Sequence, residues 1–112
     1  MTKIECILRP DRISEVRNIL GKLGIKGMTV TEVIGCGLQK GHTRDGWNME
    51  FNINLLPKTK IEMVVSDNMV DEVIKAIIKI SRTGEIGDGK IFTYPIGNAV
   101  RIRTGETGES AI

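Results

Sequence analysis

The feature that most constrains this chain is a strand pattern followed by a helix pattern, met twice along the sequence and separated by one long polar connection. Lys3–Leu8 alternates, with Ile4, Cys6 and Leu8 on one face and Lys3, Glu5 and Ile7 on the other. Arg9-Pro10 ends that strand and Asp11 is the expected N-cap. Ile13, Val16, Leu20 and Leu23 then recur at helical spacing until Gly24 supplies the stop. Gly27 leads into a β-branched strand, Met28–Ile34. After the connection, Thr59, Ile61, Met63 and Val65 share one strand face while Lys60, Glu62 and Val64 share the other. Asp67 or Asn68 is the expected cap of a second helix, whose apolar stripe is Val70, Val73, Ile74, Ile77 and Ile78. Lys90–Tyr94 and Ala99–Arg103 read as short strands around Pro95-Ile96-Gly97-Asn98, and the tail Thr104–Ile112 is polar and aperiodic. The order is a doubled βαβ. It predicts an α+β, ferredoxin-like fold in which a four-stranded antiparallel sheet carries two helices on one face.

At 112 residues the chain is expected to form a single domain, 1–112, and with 4% aromatic residues its core must be aliphatic. The formal net charge of +2, mixed in sign along the chain, argues against nucleic acid or a membrane surface as partner. No apolar run approaches the roughly 20 residues of a membrane span, and Met1–Glu5 has no signal-peptide character, so a cytoplasmic protein is expected. Cys6 lies mid-strand as a small hydrophobe, and Cys36 with His42 matches no zinc spacing. The sheet face away from the helices would carry Ile7, Thr29, Thr31, Val33 and Val64 among charges. Such a face is too apolar for free solvation and too polar for an ordinary core, which predicts a symmetric oligomer with charged clefts between subunits.

Three stretches carry ligand chemistry. Gly35–Lys58 is far longer than the usual connection of about 4–6 residues, which marks a functional loop. Spaced glycines open it, and Gln39, Lys40 and Lys58 can converge on a small acid or a phosphate; a hairpin tip with solvated charges is the alternative. Arg82-Thr83-Gly84-Glu85-Ile86-Gly87-Asp88-Gly89-Lys90 combines glycines, flanking cations and a hydroxyl, as a phosphate site would, without the order of a P-loop; a plain turn is the alternative. Arg101 and Arg103, two apart on the expected last strand, share a face and need an anion, either a polyphosphate or a carboxylate such as Glu62 or Glu106. A paired nucleophile and base is missing from the sequence, as is a carboxylate dyad, which argues against an enzyme.

With these residues assembled, the chain from Lys3 to Ile112 closely resembles the PII nitrogen-regulatory signal-transduction proteins. The resemblance rests on Gly27-Met28-Thr29-Val30-Thr31-Glu32-Val33, Gln39-Lys40-Gly41-His42-Thr43, Leu56-Pro57-Lys58, Arg82-Thr83-Gly84 with Gly87-Asp88-Gly89-Lys90-Ile91-Phe92, and Arg101-Ile102-Arg103-Thr104-Gly105-Glu106. In that family the long connection, here about residues 37–55, is the T-loop; the glycine turn, about 82–90, is the B-loop; and about 102–112 is the C-loop. The resemblance implies a homotrimer whose inter-subunit clefts bind ATP or ADP competitively. It places Gly87, Asp88, Gly89 and Lys90 around the phosphates, with Arg101 and Arg103 reaching across from a neighbouring subunit. Ile7, Thr29, Gly35, Gly37, Glu62 and Val64 would surround base and ribose. Gln39 would hold Mg²⁺ beside ATP, and Lys58, with the backbone of Lys40 and Gly41, would bind 2-oxoglutarate. The implied targets are an ammonium transporter, glutamine synthetase or a nitrogen transcription regulator, met through the T-loop, with membrane contact only through a transporter partner.

Departures from the family pattern sharpen the expectation. Phe51 stands where many bacterial relatives carry a uridylylated tyrosine, and Met49 replaces the serine phosphorylated in cyanobacterial relatives. Ligands are therefore the expected input. Leu38 replaces an arginine near the phosphates, and Trp47 the arginine that plugs a channel, a role left to Arg44. Trp47 beside the loop's Met49 is the expected partner anchor, and packing of Trp47 back onto the trimer is the alternative. A PII-like regulator sensing adenylate charge or another metabolite is the alternative function.

Overall fold

Burial alternates residue by residue along the first strand, β1 (Thr2–Leu8), where Ile4, Cys6 and Leu8 are sealed and their neighbours are not. The computed structural model describes residues 1–36, 39–43, 46–50 and 55–112, with the backbone alone described over 39–43 and 46–50. The same alternation in β5 (Leu56–Val65) turns Thr59, Ile61, Met63 and Val65 to the same side. Helix α1 (Ile13–Lys22) lays Val16 and Leu20 on that floor, and α2 (Val70–Ser81) lays Val73 and Ile77 beside them. Each buried aliphatic side chain contributes about 1.5–3 kcal/mol, so the two stripes hold the layers together.

With β2 (Thr29–Gly35) and β6 (Gly89–Pro95), the strands form a four-stranded sheet in the order β2-β5-β1-β6, every pair antiparallel. This is the expected ferredoxin-like arrangement. Gly24, at φ +87°, ends the first helical turn sequence as expected.

Three local expectations give way. Each α-helix is preceded by a short 3₁₀ turn, Pro10–Arg12 or Asp67–Met69, and neither Asp11 nor Asp67 caps through its side chain. Pro10 already presets the first turn, and the Asp67 carboxylate is taken by the Thr2 hydroxyl (2.6 Å) and the Met1 ammonium (3.1 Å). Ala99–Arg103 is not a strand of the sheet, because β6 already holds that edge. The segment instead folds back on its own tail: Val100 bridges Thr107, the Arg101 N–H donates to the Glu106 carbonyl (2.9 Å), and Gly108 N–H donates to the Ala99 carbonyl (2.9 Å).

Two described stretches of the long connection are strands that its aperiodic sequence did not show. Gln39–Thr43 (β3) pairs antiparallel with Gly46–Glu50 (β4), from Gln39 opposite Glu50 to Thr43 opposite Gly46. Backbone hydrogen bonds carry such a ribbon, and they leave no hydrophobic period to read.

Candidate ligand-binding site

The site forms at the end of the sheet where β1 leaves it. Leu8 lies opposite Thr59 on β5 and Gly89 on β6, so the residues just beyond, Arg9, Lys58 and Gly87-Asp88, are brought to one place. Gly89 makes this junction possible: at φ +107°, a β-carbon there would lie 1.8 Å from the Ile7 carbonyl oxygen.

Asp88 is the hub of the glycine turn. Its carboxylate accepts from the N–H groups of Thr83 (2.8 Å) and Gly84 (2.9 Å) and from the Thr83 hydroxyl. Arg9 Nη1 donates to it at 2.6 Å and to the Thr83 hydroxyl at 3.2 Å, while Arg9 Nη2 donates to the Ile86 carbonyl at 3.1 Å. The Thr83 hydroxyl and the backbone N–H bonds, with Arg9, hold the Asp88 carboxyl well below the usual carboxylate range. Lys58 Nζ donates to the Gly87 carbonyl at 2.7 Å, and a β-carbon on Gly35 would lie 3.2 Å from the Lys58 stem, so Gly35 leaves room for that side chain. The base of the long connection and the glycine turn are thus joined directly.

The sheet face away from the helices continues from this corner in successive rows. Ile7 lies between Lys60 and Lys90, with Thr31 beyond Lys60; Glu5 lies between Glu62 and Phe92, with Thr29 beyond Glu62; Lys3 lies between Val64 and Tyr94. Lys3 pairs with Glu62 (3.2 Å), Lys60 reaches Glu62 (3.6 Å) and Glu5 (3.9 Å), and the Tyr94 hydroxyl donates to Glu5 (2.7 Å). The hydrogen bond from Lys3, with the charges of Lys3 and Lys60, pulls the Glu62 carboxyl down. Ile7, Thr29, Glu62, Val64 and Lys90 therefore share one face.

Arg101 and Arg103 do not join them within one chain. Their segment is a turn rather than a strand, so the shared strand face expected for them does not exist. Arg101 pairs with Glu106 at 3.0 Å, one of the two carboxylates foreseen for it, and lines a hollow of about 540 Å³ with Val64, Ser66 and Glu109. That hollow lies at the Thr2 end of β1, where Thr2 faces Val65, whereas the glycine turn lies at the Leu8 end. Seven residues of strand put the two ends roughly 20 Å apart.

Of the remaining expected residues, Gly37, Leu38, Arg44 and Phe51 lie outside the described residues, and the side chains of Gln39, Lys40, Trp47 and Met49 are likewise outside them. Gly41 is described as backbone in β3, opposite Asn48. Arg9 was missed by sequence reasoning, which saw only the end of a strand. Among the described residues no cluster of three or more His, Cys, Asp or Glu is placed to hold a metal, and no helix is long and apolar enough to cross a membrane.

Comparison with known proteins agrees with this fold. A family model described as Nitrogen regulatory protein P-II matches residues 1–106. The nitrogen regulatory protein P-II of Haemophilus influenzae is 52% identical over 112 residues, covering 100% of both chains. Nitrogen regulatory protein P-II 1 of Escherichia coli is 49% identical over the same span, again covering 100% of both chains. Among solved structures, B. subtilis GlnK aligns with a TM-score of 0.86 at 42% identity, over 99% of this chain and 97% of that one. The B. subtilis GlnK–ATP complex aligns with a TM-score of 0.88 at 42% identity, over 99% and 96%.

Proposed function

Since this chain belongs to the nitrogen regulatory protein P-II family, we propose that it is a trimeric signal-transduction regulator that binds ATP or ADP between subunits and reads 2-oxoglutarate at the base of its long connection. The observation that carries this reading is the 2.7 Å bond from Lys58 Nζ to the Gly87 carbonyl. It links the residue expected to bind the acid to the turn expected to bind the phosphates. Lys58 thus stands where both ligands would meet the protein, so the acid and the nucleotide are coupled through it, and the coupling is reciprocal by linkage.

Two further observations support it. The Asp88 carboxylate is spent inside the turn, on Thr83, Gly84 and Arg9, so it does not face a phosphate as an unpaired, repelling anion. Because Arg101 lies at the opposite end of β1, one phosphate chain meets both the glycine turn and Arg101 only when a second subunit supplies the arginine. The ATP complex of B. subtilis GlnK is consistent with adenine nucleotide as the ligand. Mg²⁺ would sit beside Gln39, whose side chain lies outside the described residues.

The long connection would meet a target protein, an ammonium transporter, glutamine synthetase or a nitrogen transcription regulator, with Arg44, Trp47, Met49 and Phe51 as the residues of contact. The chain's single tyrosine is Tyr94, bonded to Glu5 on the sheet, so tyrosine modification in the loop has no acceptor. Leu38 favours a second reading, an adenylate-charge reporter that does not answer to the acid. The test of the nucleotide claim is an equilibrium titration with ATP and with ADP at known oligomer mass. One mutually exclusive site per chain in a trimer is expected, and a monomer, or simultaneous binding of both nucleotides, would contradict it.

A further inference from the structure

We propose that Arg9 is a positioning residue that shapes the phosphate-binding turn, an inference that rests on nucleotide binding at that turn. Arg9 follows β1 directly and precedes Pro10; its backbone is extended, at φ −63° and ψ 139°, and its carbonyl accepts from the Arg12 N–H at 3.1 Å. The root of the side chain is therefore fixed by the sheet on one side and by a proline on the other. From that root the guanidinium spans the turn as a fork: Nη1 reaches Asp88 (2.6 Å) and Thr83 (3.2 Å), and Nη2 reaches the Ile86 carbonyl (3.1 Å). Nη2 also lies 3.3 Å from where a β-carbon on Gly87 would sit, so the fork packs against the backbone at φ +101°.

The chemistry of the turn explains what this does. A phosphate is repelled by carbonyl and carboxylate oxygens and attracted by N–H groups. Arg9 draws the Ile86 carbonyl and the Asp88 carboxylate onto itself, and Lys58 draws the Gly87 carbonyl away in the same manner. The acceptors are engaged on the protein's own cations, which leaves fewer of them to repel the anion. A lysine at this position has the charge but a single nitrogen, and does not span Asp88 and Ile86 together.

The test is the affinity of the Arg9→Gln and Arg9→Lys proteins for adenosine, ADP and ATP, each measured beside the unaltered protein. Arg9→Gln is expected to weaken ADP and ATP by about tenfold or more, the order expected when a charge-assisted hydrogen bond is lost, while adenosine binding holds. Arg9→Lys is expected to recover only part of that loss. Asp88→Asn combined with Arg9→Gln is expected to be little worse than either alone, since the two act as one unit. Equal weakening of adenosine would mean a general structural defect and would overturn the inference, as would unchanged ADP and ATP affinity, full recovery with lysine, or additive losses in the double variant. If the unaltered protein binds no adenine nucleotide, the functional reading fails first and the inference falls with it.

Discussion

Gly89 and Cys6 show how single residues carry this fold. A side chain at position 89 meets the Ile7 carbonyl in a left-handed backbone, a clash with main chain that no rotamer relieves. Gly89→Ala is expected to cost about 3 kcal/mol or more by denaturant unfolding. Gly21→Ala, inside α1 with nothing within 4 Å of the added carbon, is expected to gain about 0.5–1 kcal/mol. The two cysteines separate in the same way. Burial, with the neighbouring Glu5 charge, pushes the Cys6 thiol up to about 12, while Cys36 is exposed. A thiol reagent at neutral pH is expected to label Cys36 alone in the native protein and both cysteines only on unfolding; rapid double labelling would show that β1 is not sealed. For Asp88 the shift is downward, so its contribution is fully present above the ordinary carboxylate pKa and is lost as pH falls through the depressed one. The turn should therefore hold from neutral pH to about pH 4 and give way only in stronger acid, a dependence that Asp88→Asn removes in acid-unfolding curves.

At the scale of elements, the sequence was legible wherever one face of a strand or helix is buried. The alternation in β1 and β5 and the stripes of α1 and α2 gave the sheet face and the core because burying them requires that period. Truncation in either stripe is predicted to be costly: Leu20→Ala or Ile77→Ala should lose about 2–5 kcal/mol, since both are fully buried against the sheet. What was not legible is held by backbone or by distant partners. The β3–β4 ribbon pairs through its main chain, and the Ala99–Arg103 segment reads as a strand locally but finds β6 already on that edge. Neither acidic residue expected to cap a helix does so, because proline presets one first turn and Thr2 with the Met1 ammonium claims Asp67. The site divides along the same line. The glycine turn and Lys58 were visible as residue types in suggestive spacing, whereas Arg9 meets Asp88 across 79 positions, a separation at which a single sequence carries no signal.

For the whole molecule, the proposed nucleotide site needs both the glycine turn and Arg101, which lie at opposite ends of β1, so the proposal requires two subunits to share it. The native mass is expected to be about three times 12.4 kDa. Mixing two inactive proteins, one altered at Arg101 and one at Lys90, should regenerate nucleotide sites in the mixed trimers, which a site confined to one chain cannot do. A sensor of this kind works by differential affinity: the acid shifts the long connection only as far as it binds one arrangement better than another. The most direct measurement of that claim is calorimetric titration of 2-oxoglutarate into the protein, once saturated with Mg-ATP and once with ADP. Binding with Mg-ATP only, abolished by Lys58→Ala, is the predicted result. Equal binding in both nucleotide states, or none in either, would contradict the coupling of Lys58 to the glycine turn on which the account depends.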